Sequence, residues 1–115
     1  MSNLTDPAGK RYYLESYKRY GVRVDRMKKR LSDLVPGTEE HIEVAGRLSN
    51  LHRNRMMRKQ EILDRIERVD DARSRLVLTL YYIELLNEGE IGNLHHISTR
   101  TISNYKREAI KKIII

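Results

Sequence analysis

In the first third of the chain the apolar residues fall at Tyr13, Tyr17, Tyr20, Val24, Met27, Leu31 and Leu34. The steps run four, three, four, three, four, three. That period of about 3.5 residues predicts one long helix with a coiled-coil-like seam. Asn3-Leu4-Thr5-Asp6-Pro7 reads as its start, with Asp6 as cap and Pro7 at the first helical position. Pro36-Gly37 ends it, after about Leu34. Thr38 caps a second helix, predicted from about Glu39 to Val69, whose first turn holds Glu39 and Glu40 where negative charge suits the helix dipole. Its apolar positions are Val44, Ala45, Leu48, Leu51, Met56, Ile62, Leu63, Ile66 and Val69. They form a poorer stripe, with His52, Arg53, Arg55, Arg58 and Lys59 crowding the middle. A turn as short as Pro36-Gly37 folds two such helices into an antiparallel hairpin.

Asp70 and Asp71 mark a joint, and either can cap a helix beginning near Ala72. Leu76, Leu80, Ile83 and Leu86 are its expected inner stripe, widened by Val77, and Asn87-Glu88-Gly89 breaks it with turn residues. Ile91 and Leu94 give one side of a very short helix. His95-His96-Ile97 reads as a tight turn, and Ser98 as the N-cap of a last helix from Thr99 to Lys112. There Ile102, Tyr105, Ala109 and Ile113 recur every three or four residues, so one face is buried. The fold expected is all-α: a long N-terminal helical hairpin over 1–69, then a helix-turn-helix bundle over 70–115. Ile91, Leu94, Ile97 and Ile102 would be the four pegs fixing the crossing of the last two helices. An ordinary helical hairpin packed into a bundle would share much of this pattern.

The outer face of the last helix is what changes the picture. Thr99, Arg100, Ser103 and Asn104 are side chains that read base edges; arginine pairs bidentately with guanine and asparagine with adenine. Ser98, Lys106, Arg107 and Lys111 are candidate phosphate contacts, Ser98 through the amides of the helix it caps. Tyr105 is expected to pack inward, its hydroxyl within reach of the DNA backbone. The expected partner is double-stranded DNA, met in the major groove by the N-terminal turns of the last helix.

Charge agrees with this. The 115 residues carry a net charge of +7, which attracts polyanions. There is no Cys, Trp or Phe, so disulfides and Cys-based zinc sites are excluded and the aromatic bulk is all tyrosine. His41, His52, His95 and His96 are scattered except for the adjacent pair, which has no carboxylate or Cys at ligand spacing beside it, and neither a phosphate-binding loop nor a nucleophile signature is present. No enzyme, metal or cofactor is expected. No apolar run approaches the ~20 residues that span a bilayer, and no signal peptide is legible, so the expected location is the cytoplasm, with no membrane partner.

Leu80-Tyr81-Tyr82-Ile83, Glu90-Ile91-Gly92, Leu94, Ile97-Ser98, Ile102 and Ala109-Ile110 together resemble region 4 of the sigma-70 family, as it recurs in phage and prophage transcription regulators of the ArpU and RinA type. The resemblance covers about residues 61–113. Gly92 stands where that pattern has Ala, and His96 where it has the turn Gly. The resemblance implies control of phage late genes in a host bacterial cell, with RNA polymerase as a second partner. Homodimerisation through the N-terminal helices would supply the two-fold axis that paired half-sites require. Two other roles stay open: a structural or packaging DNA-recognition subunit, and a polymerase-docking adaptor that barely binds DNA.

Overall fold

The computed structural model describes residues 5–115, so the Asn3-Leu4 part of the expected helix start lies outside the described residues. The elements are α1 (Pro7–Leu14), α2 (Ser16–Ser32), α3 (Glu39–Glu67), α4 (Ala72–Leu78) with a π-helical continuation over Thr79–Ile83, α5 (Glu88–His95) and α6 (Thr99–Lys112). No strand occurs among the described residues. The architecture is all-α, a long N-terminal hairpin followed by a C-terminal helical region.

Caps set the boundaries. The Gly9 N–H donates to Asp6 Oδ1 at 2.6 Å, with Pro7 in the first turn. The His41 N–H donates to Thr38 Oγ1 at 3.2 Å, and Gly37 supplies the left-handed turn before it, at φ 86°. The Arg73 N–H donates to Asp71 Oδ1, so Asp71 rather than Asp70 caps α4.

The single long first helix is corrected: it breaks at Glu15. The Ser16 hydroxyl donates back to the Tyr13 carbonyl, the kind of side-chain bond that bends helices. An Arg58 guanidinium donates to the same hydroxyl at 2.8 Å and holds the bend against α3. The break turns Leu14, which lies off the seam, into a fully buried position. On the seam itself Tyr17 and Val24 are buried, while Tyr13, Tyr20, Met27, Leu31 and Leu34 are half-buried.

The lead helix also differs from its expected stripe. Leu76 is 45% exposed, and the buried residues are Val77, Leu78, Tyr82 and Ile83. The steps from Val77 to Tyr82 and from Leu78 to Ile83 are five residues, which an α-helix would place on different faces. The π turn accounts for them: the Glu84 N–H donates to the Thr79 carbonyl at 3.0 Å, a wider i to i−5 bond.

One cluster gathers these faces. Leu14 and Tyr17 from α1 and α2, Ile62 and Ile66 from α3, and Val69 meet Leu78, Tyr82, Ile83, Ala109, Ile110 and Ile113. Ile113 is 0% exposed although it is the C-cap of α6; Ile114 is 84% exposed; Ile115 packs partly against the cluster. Truncation of Ile113 to Ala therefore leaves a cavity in the core and is expected to cost about 2–5 kcal/mol. Ile114→Ala is expected to stay within about 0.5 kcal/mol of wild type. Urea unfolding of the two variants side by side checks the contrast.

Candidate nucleic-acid interface

The site is α6, presented by α4 and α5. The capping box at Asn87 sets the start of α5: the Glu90 N–H donates to Asn87 Oδ1 at 2.8 Å, and the Asn87 N–H donates to Glu90 Oε1 at 3.1 Å. The break thus lies earlier than expected, over 84–87, with Asn87 as its last residue and Glu88 and Gly89 already in α5. The turn lies just upstream, where Leu85 takes a left-handed conformation at φ 60°. The expected set of pegs also changes. Ile91 and Ile102 are buried and Ile97 is half-buried, but Leu94 is 61% exposed. Leu80, Val77 and Leu76 border the small cleft with Ile91, Ile97 and Ile102 instead.

The turn into α6 is tight. His96 is the C-cap of α5 in the left-handed region, φ 55° and ψ 42°, as the position needs. The Gly92 carbonyl accepts the N–H groups of His96 and, at 2.8 Å, of Ile97. A Cβ on Gly92 would lie 2.5 Å from the Ile97 carbonyl oxygen, so the missing side chain is what lets the turn close. Ser98 then caps α6, its Oγ accepting the Thr101 N–H at 3.2 Å and lying 2.8 Å from Thr101 Oγ1.

Of the expected contact residues, Ser98, Thr99, Arg100, Asn104, Arg107 and Lys111 are exposed and Ser103 is half-buried. Arg100, Asn104, Arg107 and Lys111 recur at steps of four, three and four, one line along the outer face. Arg107 donates to Asn104 Oδ1 at 3.4 Å, and Lys111 pairs with Glu108 at 3.2 Å. Lys106 lies apart from that line. Its side chain is 17% exposed, and its ammonium is 2.7 Å from Glu88 Oε1 and 4.0 Å from the centre of the Tyr81 ring. Tyr105 is half-buried, with the Arg73 guanidinium 4.3 Å over its ring. Arg73 borders the same cleft as Asn104 and Lys112. It lies far from Tyr105 in the chain, across α5 and both turns, and no spacing rule points to it.

The other end of α6 is tied back to the caps. Lys112 Nζ is 3.0 Å from Asp71 Oδ2, and Lys10 Nζ donates to the Lys111 carbonyl at 3.2 Å. The Ser74 hydroxyl above all, then the Lys112 ammonium, hold the Asp71 carboxyl well below the usual carboxylate range. Among the described residues no three His, Asp or Glu side chains gather as metal ligands, and no helix is long and apolar enough to cross a membrane.

Residues 71–113, less than half of the chain, match the family model for sigma-70, region 4. That segment is a region 4-like helix-turn-helix, a DNA-binding domain type. No curated protein and no solved structure matches the chain.

Two measurements test this geometry. Gly92→Ala gains about 1 kcal/mol of helix propensity, yet its Cβ meets backbone. The expected result is a net loss of about 1–3 kcal/mol, as for other overpacked sites, while His96→Gly, freed of its left-handed strain, is stabilised by up to about 1 kcal/mol. Thermal unfolding of both variants decides it. For Asp71 the depressed carboxyl stabilises the fold fully above the ordinary carboxylate pKa and loses that contribution as pH falls below it. The gap in melting temperature between wild type and Asp71→Ala should hold from neutrality to about pH 5 and narrow below about pH 4.

Proposed function

We propose that this region 4-like chain is a sequence-specific DNA-binding transcription regulator of phage or prophage late genes, reading the major groove with α6. The single observation that carries the reading is the exposed line of Arg100, Asn104, Arg107 and Lys111, starting at the Ser98 cap of the matched helix-turn-helix. Arg100 and Asn104 are the base readers, one bidentate to guanine and the other to adenine, each worth about 1–3 kcal/mol of discrimination. Thr99 and Ser103 flank them. Arg107 and Lys111 take phosphates, and the α6 amides beside Ser98 take another. Lys106 joins them only by releasing Glu88. Until then it braces α5 on α6.

The late-gene role rests on the likeness of the Leu80–Ile110 pattern to the ArpU and RinA regulators. The same likeness makes RNA polymerase the protein partner. Val22, Ile42, Met56 and Met57 leave apolar surface exposed on the hairpin, which supports a homodimer through the N-terminal helices and two half-sites on the DNA. The protein works inside the host cell.

Fluorescence anisotropy with duplexes from around the protein's own gene, against random duplex over a salt series, tests the reading. Tight binding to one fragment with a steep salt slope is the expected result. Arg100→Ala should reduce that preference by about fivefold or more, as loss of about 1–3 kcal/mol requires. Equal, weak binding of wild type to every fragment would sink the sequence-specific regulator.

A further inference from the structure

The hairpin carries a charge pattern that recognition by α6 does not use. Helix α2 holds Lys18, Arg19, Arg23, Arg26, Lys28, Lys29 and Arg30 against one carboxylate, Asp25. Four of the cations, Arg19, Arg23, Arg26 and Arg30, recur at steps of four, three and four, and so form one stripe; Asp25 lies off it. Like charges at this spacing repel one another, and the stripe itself holds no acid. Arg30 pairs with Glu40 at 3.4 Å, while Arg19, Arg23 and Arg26 have no ion pair among the described residues.

The stripe is also held in place. Arg19 stacks 3.9 Å over the Tyr12 ring and donates to the Tyr12 carbonyl at 2.8 Å; Arg23 lies 5.7 Å over Tyr20. From α3, Arg58 reaches the same place, 5.7 Å over Tyr20, with Glu61 on its Nε at 3.1 Å. Arg19, Arg23 and Arg58 thus open on one cleft of about 420 Å³ with Tyr12, Ser16 and Tyr20. A second cleft follows directly, with an apolar floor of Met27 and Leu51 and the stems of Arg23, Arg26 and Arg30 along its rim. Each guanidinium has five N–H donors, so most of them stay available for an anion.

We propose that this stripe is a second nucleic-acid contact, a track for consecutive backbone phosphates that is separate from α6. A lone phosphorylated small molecule would need only the first cleft. Two clefts in succession along ~16 Å of helix fit a linear polyanion, whose phosphates advance ~3.4 Å along the axis per strand. Arginine stacked on tyrosine keeps its donors oriented for phosphate without selecting a base. The inference rests on the DNA-binding reading, and it adds affinity and salt dependence rather than sequence preference.

Arg23→Glu and Arg26→Glu in the full chain test it, beside the α6 variant Asn104→Ala. Arg26 makes no hydrogen bond, ion pair or ring contact among the described residues, so Arg26→Glu does not act through the fold; circular dichroism confirms that. Affinity is read over a salt series on the preferred duplex and on random duplex. The arm variants should lower the slope of log K on log salt by roughly one per lost phosphate, and should weaken both duplexes by the same factor. Asn104→Ala should lose preference and keep the slope. An arm variant with the wild-type slope overturns the inference and leaves the role of α6 standing. Wild type that binds no duplex overturns both. Inorganic phosphate or a mononucleotide bound as tightly as a 20-mer duplex would replace the track by a small-ligand site.

Discussion

Everything in this fold hangs on one shared hydrophobic cluster. Residues from the hairpin (Leu14, Tyr17, Ile62, Ile66) and from the helix-turn-helix (Leu78, Tyr82, Ile83, Ala109, Ile110, Ile113) bury one another. A fully buried aliphatic side chain contributes about 1.5–3 kcal/mol, so neither half has a comparable core without the other. The buried side of α6 belongs to this cluster, and its polar side is therefore forced outward. The orientation that gives α6 an accessible line of Arg100, Asn104, Arg107 and Lys111 is a consequence of core packing. It follows too that the last helix cannot rotate to meet DNA without unpacking Ile110 and Ile113.

Much of this was legible in the residues, and what was not has physical causes. Thr38, Asp71 and Ser98 could be read as caps because a capping side chain acts on its own next turn. The hairpin turn at Gly37 was equally local. Leu14 was hidden because a bond from Ser16 to the Tyr13 carbonyl bends the helix, and a strict 3.5 period assumes a straight one. Tyr82 was hidden because the π turn puts it on the buried side five residues after Val77, in a stripe expected at three and four. Leu94 looked like a peg because its spacing from Ile91 is helical, yet α5 is too short to bury both. The Asn87 capping box was a visible signal that Gly89 masked. Contacts such as Arg73 over Tyr105 join residues far apart in sequence, and no local rule reaches them.

The hairpin itself uses an unusual adhesive. Between α3 and the α1 and α2 side of the hairpin, the small apolar set of Val24, Val44 and Leu51 is continued by tyrosines facing arginines. Arg55 lies 4.9 Å over Tyr17, Arg58 lies 5.0 Å over Tyr13, and Arg65 lies 5.4 Å over the same ring. Such contacts contribute about 0.5–1 kcal/mol where exposed and about 2 where desolvated. Gly21 lets Arg55 come close: a Cβ there would sit 3.3 Å from its guanidinium. The Arg55 Nε is buried without a hydrogen-bond partner, which is the desolvation cost of inserting a cation in the seam. A leucine seam would avoid that cost, but it would supply no charge. The hairpin thus stays folded while keeping a positive surface.

The cations of this protein therefore divide by what already holds them. Lys106 and Lys112 are tied to Glu88 and Asp71, and both pairs bridge elements that must stay in register: α5 with α6, and the α4 cap with the end of α6. Lys106 is the most enclosed of them. Removing either partner of an enclosed pair leaves a charge without its counter-ion, which costs far more than an exposed pair ever contributes. Arg100, Arg107, Arg19, Arg23 and Arg26 make no ion pair among the described residues. Arg19 and Arg23 gain a little from stacking on tyrosine, but that contact leaves most of their N–H donors and their net charge in place. In a chain with a net charge of +7, three of the acids, Glu40, Glu88 and Asp71, hold joints between helices. Two lines of cations remain, one on α6 and one on α2, and they are where a bound polyanion would relieve the repulsion.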